Sequence, residues 1–242
     1  MTFSTEGGGG IPGSRTLGVV LAGGRSRRFG SPKALATFLG TPLILRPVEA
    51  LRGVCSEVVV VGGDPDGELA GVLPVPLLSD QEPGQGPLGG LVTALNHARS
   101  RRFQGVLLLG CDMPLVSTSL LRRVAGEGEA SGESAVAPED ASGRLHPLCA
   151  WYPVGTLPVA LQALSSSDRS LMGLLKGLGA RRLVLGDASR GARVEAELAG
   201  ANTPDELAAL EGKVSGSGGR GDSARRPDTP SLPPHNEDTL RP

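Results

Sequence analysis

Short aliphatic runs alternate along the chain with longer stretches in which apolar residues recur every three or four positions. Leu17 to Ala22, Val58 to Val61, Val75 to Leu78 and Val106 to Leu109 carry almost no polar side chain. Such runs predict strands covered on both faces, as in a parallel sheet, rather than strands with one wet face. Thr41-Pro42 offers a helix cap followed by a first-position proline, and predicts a helix to about Arg52. Gly89 to Arg99 sets Leu91, Leu95 and Ala98 on one helical face, and Ser117 caps a helix reaching about Val124. Ala135 to Pro138 and Leu148 to Tyr152 predict two strands joined through the Ser142-Gly143 turn. Helices follow at Val154 to Leu164 and Ser170 to Leu178, then a strand at Arg182 to Leu185 and a last helix from Thr203-Pro204 to about Leu210.

Strand, loop and helix in repeated order predict an α/β three-layer sandwich, a mostly parallel sheet with helices on both faces. The two ends fall outside this pattern. Residues 1–15 are glycine-rich, and residues 213–242 run through Ser-Gly repeats and Pro-rich stretches with little to bury. Both are expected to be disordered, leaving one domain over 16–212. Arg220-Gly221-Asp222 in that tail reads as a chance match to an adhesion tripeptide.

Composition narrows the function. Only 2% of residues are aromatic, so Leu, Val and Ala must build the core, and a net charge of -1 gives no electrostatic case for nucleic acid or an anionic membrane. No apolar stretch approaches the roughly 20 residues that span a bilayer, and no signal-peptide centre is present, so a cytoplasmic location is expected. Cys55, Cys111 and Cys149 lie beside or within aliphatic runs and form no metal-binding pair, which reads as core packing.

Ligands of such sheets bind at the carboxyl ends of the strands, and the unusual residues cluster there. After the first strand comes Leu21-Ala22-Gly23-Gly24-Arg25-Ser26-Arg27-Arg28-Phe29-Gly30-Ser31-Pro32-Lys33. Adjacent glycines let the backbone turn and bring bare N–H groups to a ligand, while four cations in nine residues favour an anion such as a triphosphate. A merely solvated basic loop is the competing reading. Neither the P-loop nor the G-x-G-x-x-G fingerprint fits this spacing. After the fourth strand, Gly110-Cys111-Asp112-Met113-Pro114 sets one carboxylate at a strand end, suited either to a hard cation or to capping the next helix. Asp80 precedes Gly86-Pro87-Leu88-Gly89-Gly90, a second glycine-rich segment at a helix start.

The first loop resembles the nucleotide-binding signature of the molybdenum cofactor guanylyltransferases, and the resemblance extends from about Leu17 to Leu210. It implies a dinucleotide-binding-like nucleotidyltransferase fold and transfer of GMP from GTP to the terminal phosphate of molybdopterin, with loss of pyrophosphate. It also implies roles for individual positions. Leu21, Ala22, Gly23, Gly24, Lys33, Asp80 and Gly89 would contact the nucleotide. Arg25 and Lys33 would stabilise phosphate charge, Asp112 would bind Mg²⁺, and His146 and Asn202 would lie on the acceptor side. Molybdoenzymes or their chaperones are the implied recipients. Three positions depart from the family pattern: Pro32 replaces an Asp, Gly200 replaces the first Asn of Asn-x-Asn-Thr-Pro, and Gly63 stands near a missing Asn. A molybdopterin cytidylyltransferase or another small phosphate nucleotidyltransferase is the alternative.

Overall fold

The computed structural model of the protein describes residues 14–23, 32–64, 66–81, 84–185 and 195–217. Seven strands form one sheet in the order β5-β4-β1-β6-β8-β7-β9, using β1 (Thr16–Leu21), β4 (Glu57–Val61), β5 (Leu77–Leu78), β6 (Gly105–Gly110), β7 (Val136–Glu139), β8 (Cys149–Pro153) and β9 (Arg181–Val184). All neighbours pair in parallel except β8, which runs antiparallel to both β6 and β7. The mostly parallel sheet predicted from the aliphatic runs is therefore present, with one reversed strand inside it.

Alternation along β1 and β6 explains the three layers. Val20, Leu107 and Leu109 face a core closed by α1 (Leu45–Arg52) and α4 (Thr118–Ser131). Leu17, Val19, Val106 and Leu108 face the opposite core, closed by α3 (Gly86–Ser100), α5 (Leu157–Leu164) and α6 (Leu171–Gly177). All seven of these strand residues are fully buried. Removing a side chain of that size from water stabilises the fold by about 1.5–3 kcal/mol. All three cysteines are buried, and burial pushes the Cys111 thiol up to about 12, so it stays protonated and packs as a small apolar group.

Four local readings change. Thr41-Pro42 does not open a helix: it is strand β3 (Thr41–Pro42), paired with β2 (Thr37–Phe38) in a hairpin. The turn between them, Leu39 at φ 48 and Gly40 at φ 80, has both residues in the left-handed region that two-residue hairpins demand. Helix α1 starts only at Leu45. A short helix, α2 (Glu68–Val72), lies in a stretch whose glycines hid it, and α3 begins at Gly86 rather than Gly89. The last helix, α7 (Pro204–Ser217), runs past both Leu210 and the boundary drawn at 213. It is anchored by Leu207 and Leu210, which pack with Phe38 and Leu43 of the hairpin. The Leu39 backbone N–H also donates to the Glu211 carboxylate on α7.

Candidate active site

The carboxyl ends of β4, β1 and β6 are laced together. Ala22 N–H donates to the Val61 carbonyl at 2.9 Å, and Cys111 N–H donates to the Leu21 carbonyl at 3.1 Å. The lacing needs glycine beside it. Gly62 has φ +97, and a Cβ there would stand 2.8 Å from the backbone nitrogen of Gly23. Gly90 of α3 packs equally close, since its Cβ would meet Leu21 at 2.9 Å. The start of α3 is thus pressed against the strand end that carries Leu21, Ala22 and Gly23. Gly23 itself is exposed and would meet nothing within 4 Å if it carried a Cβ. Gly24 and Arg25 lie outside the described residues.

Three predicted residues, far apart in sequence, converge over this edge. Lys33 begins a single helical turn, Lys33–Leu35, and its Nζ lies 3.1 Å from Asp112 Oδ2 and donates to Asn202 Oδ1 at 3.0 Å. Lys33 and Asp112 are mostly buried, with side chains 13% and 18% exposed. Asp112 is held from both sides. Its carbonyl accepts from Ala201 N–H at 3.0 Å, and a Cβ on Gly110 would come within 2.5 Å of Oδ1. Asn202 is held in turn by Glu206, whose carboxylate accepts from its backbone N–H, just before Thr203 Oγ1 caps α7.

Asp80 belongs to a separate part of the edge. Its Oδ1 accepts from Thr93 Oγ1 at 3.1 Å, and that hydroxyl also receives Gln81 N–H at 2.9 Å. The carbonyl of Gly89 lies 3.2 Å from the same hydroxyl. Thr93 is 2% exposed, and the sequence reading missed it. The one signal for it was a lone hydroxyl in the otherwise apolar run Leu88 to Leu95.

On the other side of Asp112 opens a cleft of about 460 Å³, lined by Asp112, Asn202, Gly200, Arg144, Asp140 and His146 among others. His146 and Asn202, both assigned to the acceptor side, line it together with Asp112. Asp140 was also missed. It opens the turn at Ser142-Gly143, and its carboxylate is a hydrogen-bond hub. Oδ1 accepts from Ser142 Oγ, Ser142 N–H and Arg144 N–H, and Oδ2 lies 2.9 Å from His146 Nε2. Led by the Ser142 hydroxyl, with His146 and the two turn amides adding to it, these donors hold the Asp140 carboxyl well below the usual carboxylate range.

A lysine and a carboxylate at the carboxyl edge of a mostly parallel sheet, beside an open cleft, suit a nucleotidyltransferase of the α/β class. Residues 18–183 match the model of a family described as the MobA-like NTP transferase domain. A probable molybdenum cofactor guanylyltransferase from Rhodopirellula baltica is 36% identical over 196 residues, which cover 79% of this chain and 89% of that protein. The molybdenum cofactor guanylyltransferase of Cereibacter sphaeroides is 33% identical over 199 residues, 81% of this chain and 96% of its own. The chain belongs to the MobA-like NTP transferase family. Among solved structures, molybdopterin-guanine dinucleotide biosynthesis protein A from Archaeoglobus fulgidus superposes with a TM-score of 0.68 at 25% identity, covering 83% of this chain and 99% of that one. A 2-C-methyl-D-erythritol 4-phosphate cytidylyltransferase from Thermus thermophilus shares the fold, with a TM-score of 0.56 at 18% identity over 81% of this chain and 98% of its own.

Proposed function

We propose that the protein transfers GMP from GTP to the terminal phosphate of molybdopterin, forming the guanine dinucleotide cofactor and releasing pyrophosphate. The observation that carries this reading is the convergence of Lys33 on Asp112 and Asn202, the latter two lining one cleft, in a chain whose relatives are named for that activity. An oxygen of the acceptor phosphate bonds to the α-phosphorus. The bond from that phosphorus to the oxygen bridging to the β-phosphorus breaks, and pyrophosphate departs with the electron pair. No covalent protein intermediate is needed, so positioning and charge neutralisation carry the rate.

The residues divide that work. Leu21, Ala22 and Gly23 offer backbone to the nucleotide, and Asp80 and Gly89 border it. Lys33 supplies positive charge to the triphosphate, together with Arg25 of the same loop. Asn202 holds Lys33 and faces the acceptor cleft with His146. Asp112 fits Mg²⁺. One of its oxygens is engaged by Lys33, and glycine at 110 leaves the flank of the other without a Cβ. Mg²⁺ commonly takes one or two protein carboxylates and completes its shell with water and phosphate oxygens. Among the described residues there is no group of three or more His, Cys, Asp or Glu that could hold a metal ion. When bound, Mg²⁺ would neutralise charge on the phosphate oxygens. No helix among the described residues is long and apolar enough to cross a membrane. The reading includes a cytoplasmic location and delivery of the product to molybdoenzymes or their chaperones.

The test is pyrophosphate release with molybdopterin as acceptor and GTP, CTP or ATP as donor. GTP is expected to have the highest kcat/KM; a preference for CTP would replace the guanylyl reading with the cytidylyl one. Gly23→Ala sharpens the measurement, because the new methyl meets no atom of the described residues within 4 Å. It should lower kcat/KM for GTP more than for CTP, since it narrows the backbone approach to the larger base.

Lys33→Ala should weaken GTP use about thirtyfold, because a hydrogen bond from a charged group contributes on the order of 2 kcal/mol. Initial rates across a GTP series check this, and kinetics equal to the parent's would return Lys33 to a structural role.

A further inference from the structure

We propose that Arg144 is the phosphate-binding residue of the acceptor subsite: its guanidinium takes two oxygens of the acceptor's terminal phosphate monoester and leaves the third to attack. The proposal rests on the reading of molybdopterin as acceptor and adds to it the side chain that holds the nucleophile.

Charge in the cleft points to this residue. The cleft beside Asp112 is lined by the carboxylates of Asp112, Asp140 and Glu195, and among its described lining residues Arg144 is the only Lys or Arg. A phosphate monoester is itself an anion, and it is repelled by carboxylates a few ångströms away. Mg²⁺ on Asp112 would offset that residue's charge at the reacting end, which leaves the phosphate in need of a cation of its own. A guanidinium suits the task better than an ammonium. Its planar fork sets parallel N–H donors against two phosphate oxygens at once, and so fixes direction as well as charge. A phosphate monoester has three oxygens not bonded to carbon, so the fork leaves one of them for the α-phosphorus.

The turn that carries Arg144 fixes its backbone and leaves its side chain unengaged. Asp140 N–H donates to the Arg144 carbonyl at 3.0 Å, and Arg144 N–H donates back to Asp140 Oδ1 at 3.1 Å. Gly143, at φ +82, lets the chain reverse between them. The next residue, Leu145, bridges to Glu139 and is buried in the core behind the cleft. Asp140 is the nearest carboxylate in sequence and would be the obvious ion-pair partner, but its oxygens are already taken. They meet Ser142 Oγ, Ser142 N–H, Arg144 N–H and His146 Nε2. Glu139 is likewise engaged, by Arg182 at 2.9 Å. The Arg144 side chain is exposed, and its guanidinium makes no hydrogen bond or ion pair to any described residue. A cation on a fixed base, lining an acidic cleft with its donors unspent, is placed to receive an anionic ligand.

Arg144→Gln and Arg144→Lys test the contact. Binding of molybdopterin, and of molybdopterin with its phosphate removed, is measured by calorimetry without nucleotide, beside turnover with GTP. Arg144→Gln is expected to weaken molybdopterin binding about tenfold and to leave the dephosphorylated form within about twofold of the parent. Arg144→Lys keeps the charge but loses the fork, and should stand about threefold below the parent. KM for GTP and the melting temperature should both hold, since the guanidinium ties down no other part of the described chain. Equal losses for the phosphorylated and dephosphorylated acceptor, or molybdopterin affinity in Arg144→Gln within about twofold of the parent, would overturn the proposal. So would a rise in KM for GTP as large as the loss in molybdopterin affinity, because that result puts the guanidinium on the triphosphate. A parent that binds molybdopterin but forms no product from GTP refutes the transfer reading alone, and the binding comparison still decides the role of Arg144.

Discussion

Asp112→Asn is expected to lower kcat/KM by roughly a thousandfold while leaving the fold intact. The amide loses the negative charge that balances Lys33 and that fits Mg²⁺, and a bound divalent ion contributes several kcal/mol to a developing phosphoryl charge. The loss should appear in kcat, because that stabilisation is greatest in the transition state. The fold should survive for local reasons. The Asp112 backbone carbonyl still accepts from Ala201, and the asparagine oxygen can still take the Lys33 bond. Melting temperature and kcat are measured together on parent and variant. Activity within about fivefold of the parent at unchanged stability would remove Asp112 from the reaction.

Gly128→Ala on α4 should cost the largest stability of any single-methyl change on that helix. A Cβ at 128 would lie 2.2 Å from Trp151 Cδ2, and the indole cannot retreat. Its other edge meets Gly105, where a Cβ would stand 2.3 Å from Cζ2, and Nε1 donates to Thr16 Oγ1 at 3.0 Å. Overpacking of this kind costs about 1–3 kcal/mol or more, against a gain of at most about 1 kcal/mol from alanine's better helix propensity. The clash wins by about 2 kcal/mol, which for a domain of this size lowers the melting temperature by about 4–8 °C. Gly126→Ala, two residues earlier, meets nothing within 4 Å and should be neutral or stabilising. If Gly128→Ala melts at or above the parent temperature, the indole has room that the packing denies it.

What the sequence made legible follows from its physics. Strands β1, β4 and β6 were readable because burial on both faces leaves unbroken aliphatic runs, and no other element produces them at that length. Thr41-Pro42 misled because the same dipeptide suits a helix cap and a strand edge. The left-handed pair Leu39-Gly40 decided between them, and leucine gives no hint of that conformation. The order of strands in the sheet was not legible, because pairing partners are chosen by contacts between distant segments. Lys33 and Asp112 were marked by charge and place at strand ends and given roles through resemblance, Asn202 through resemblance alone; their convergence within 3.1 Å of one nitrogen is a property of the folded chain. Thr93 and Asp140 were passed over for opposite reasons: a lone threonine inside an apolar helix, and an aspartate in a turn where aspartates are common.

The packing of Trp151 has an optical consequence. It is the sole tryptophan in the sequence, fully buried between two glycines and alongside the first residues of β1 and β6, at the end of the sheet away from Asp112. All indole emission from this chain therefore originates in one buried site, set against Gly105 and Gly128 within the apolar core, with the indole N–H bonded to the Thr16 hydroxyl. Its wavelength reports whether the sheet and α4 remain clasped together, and ligands arriving at the opposite edge leave that colour alone.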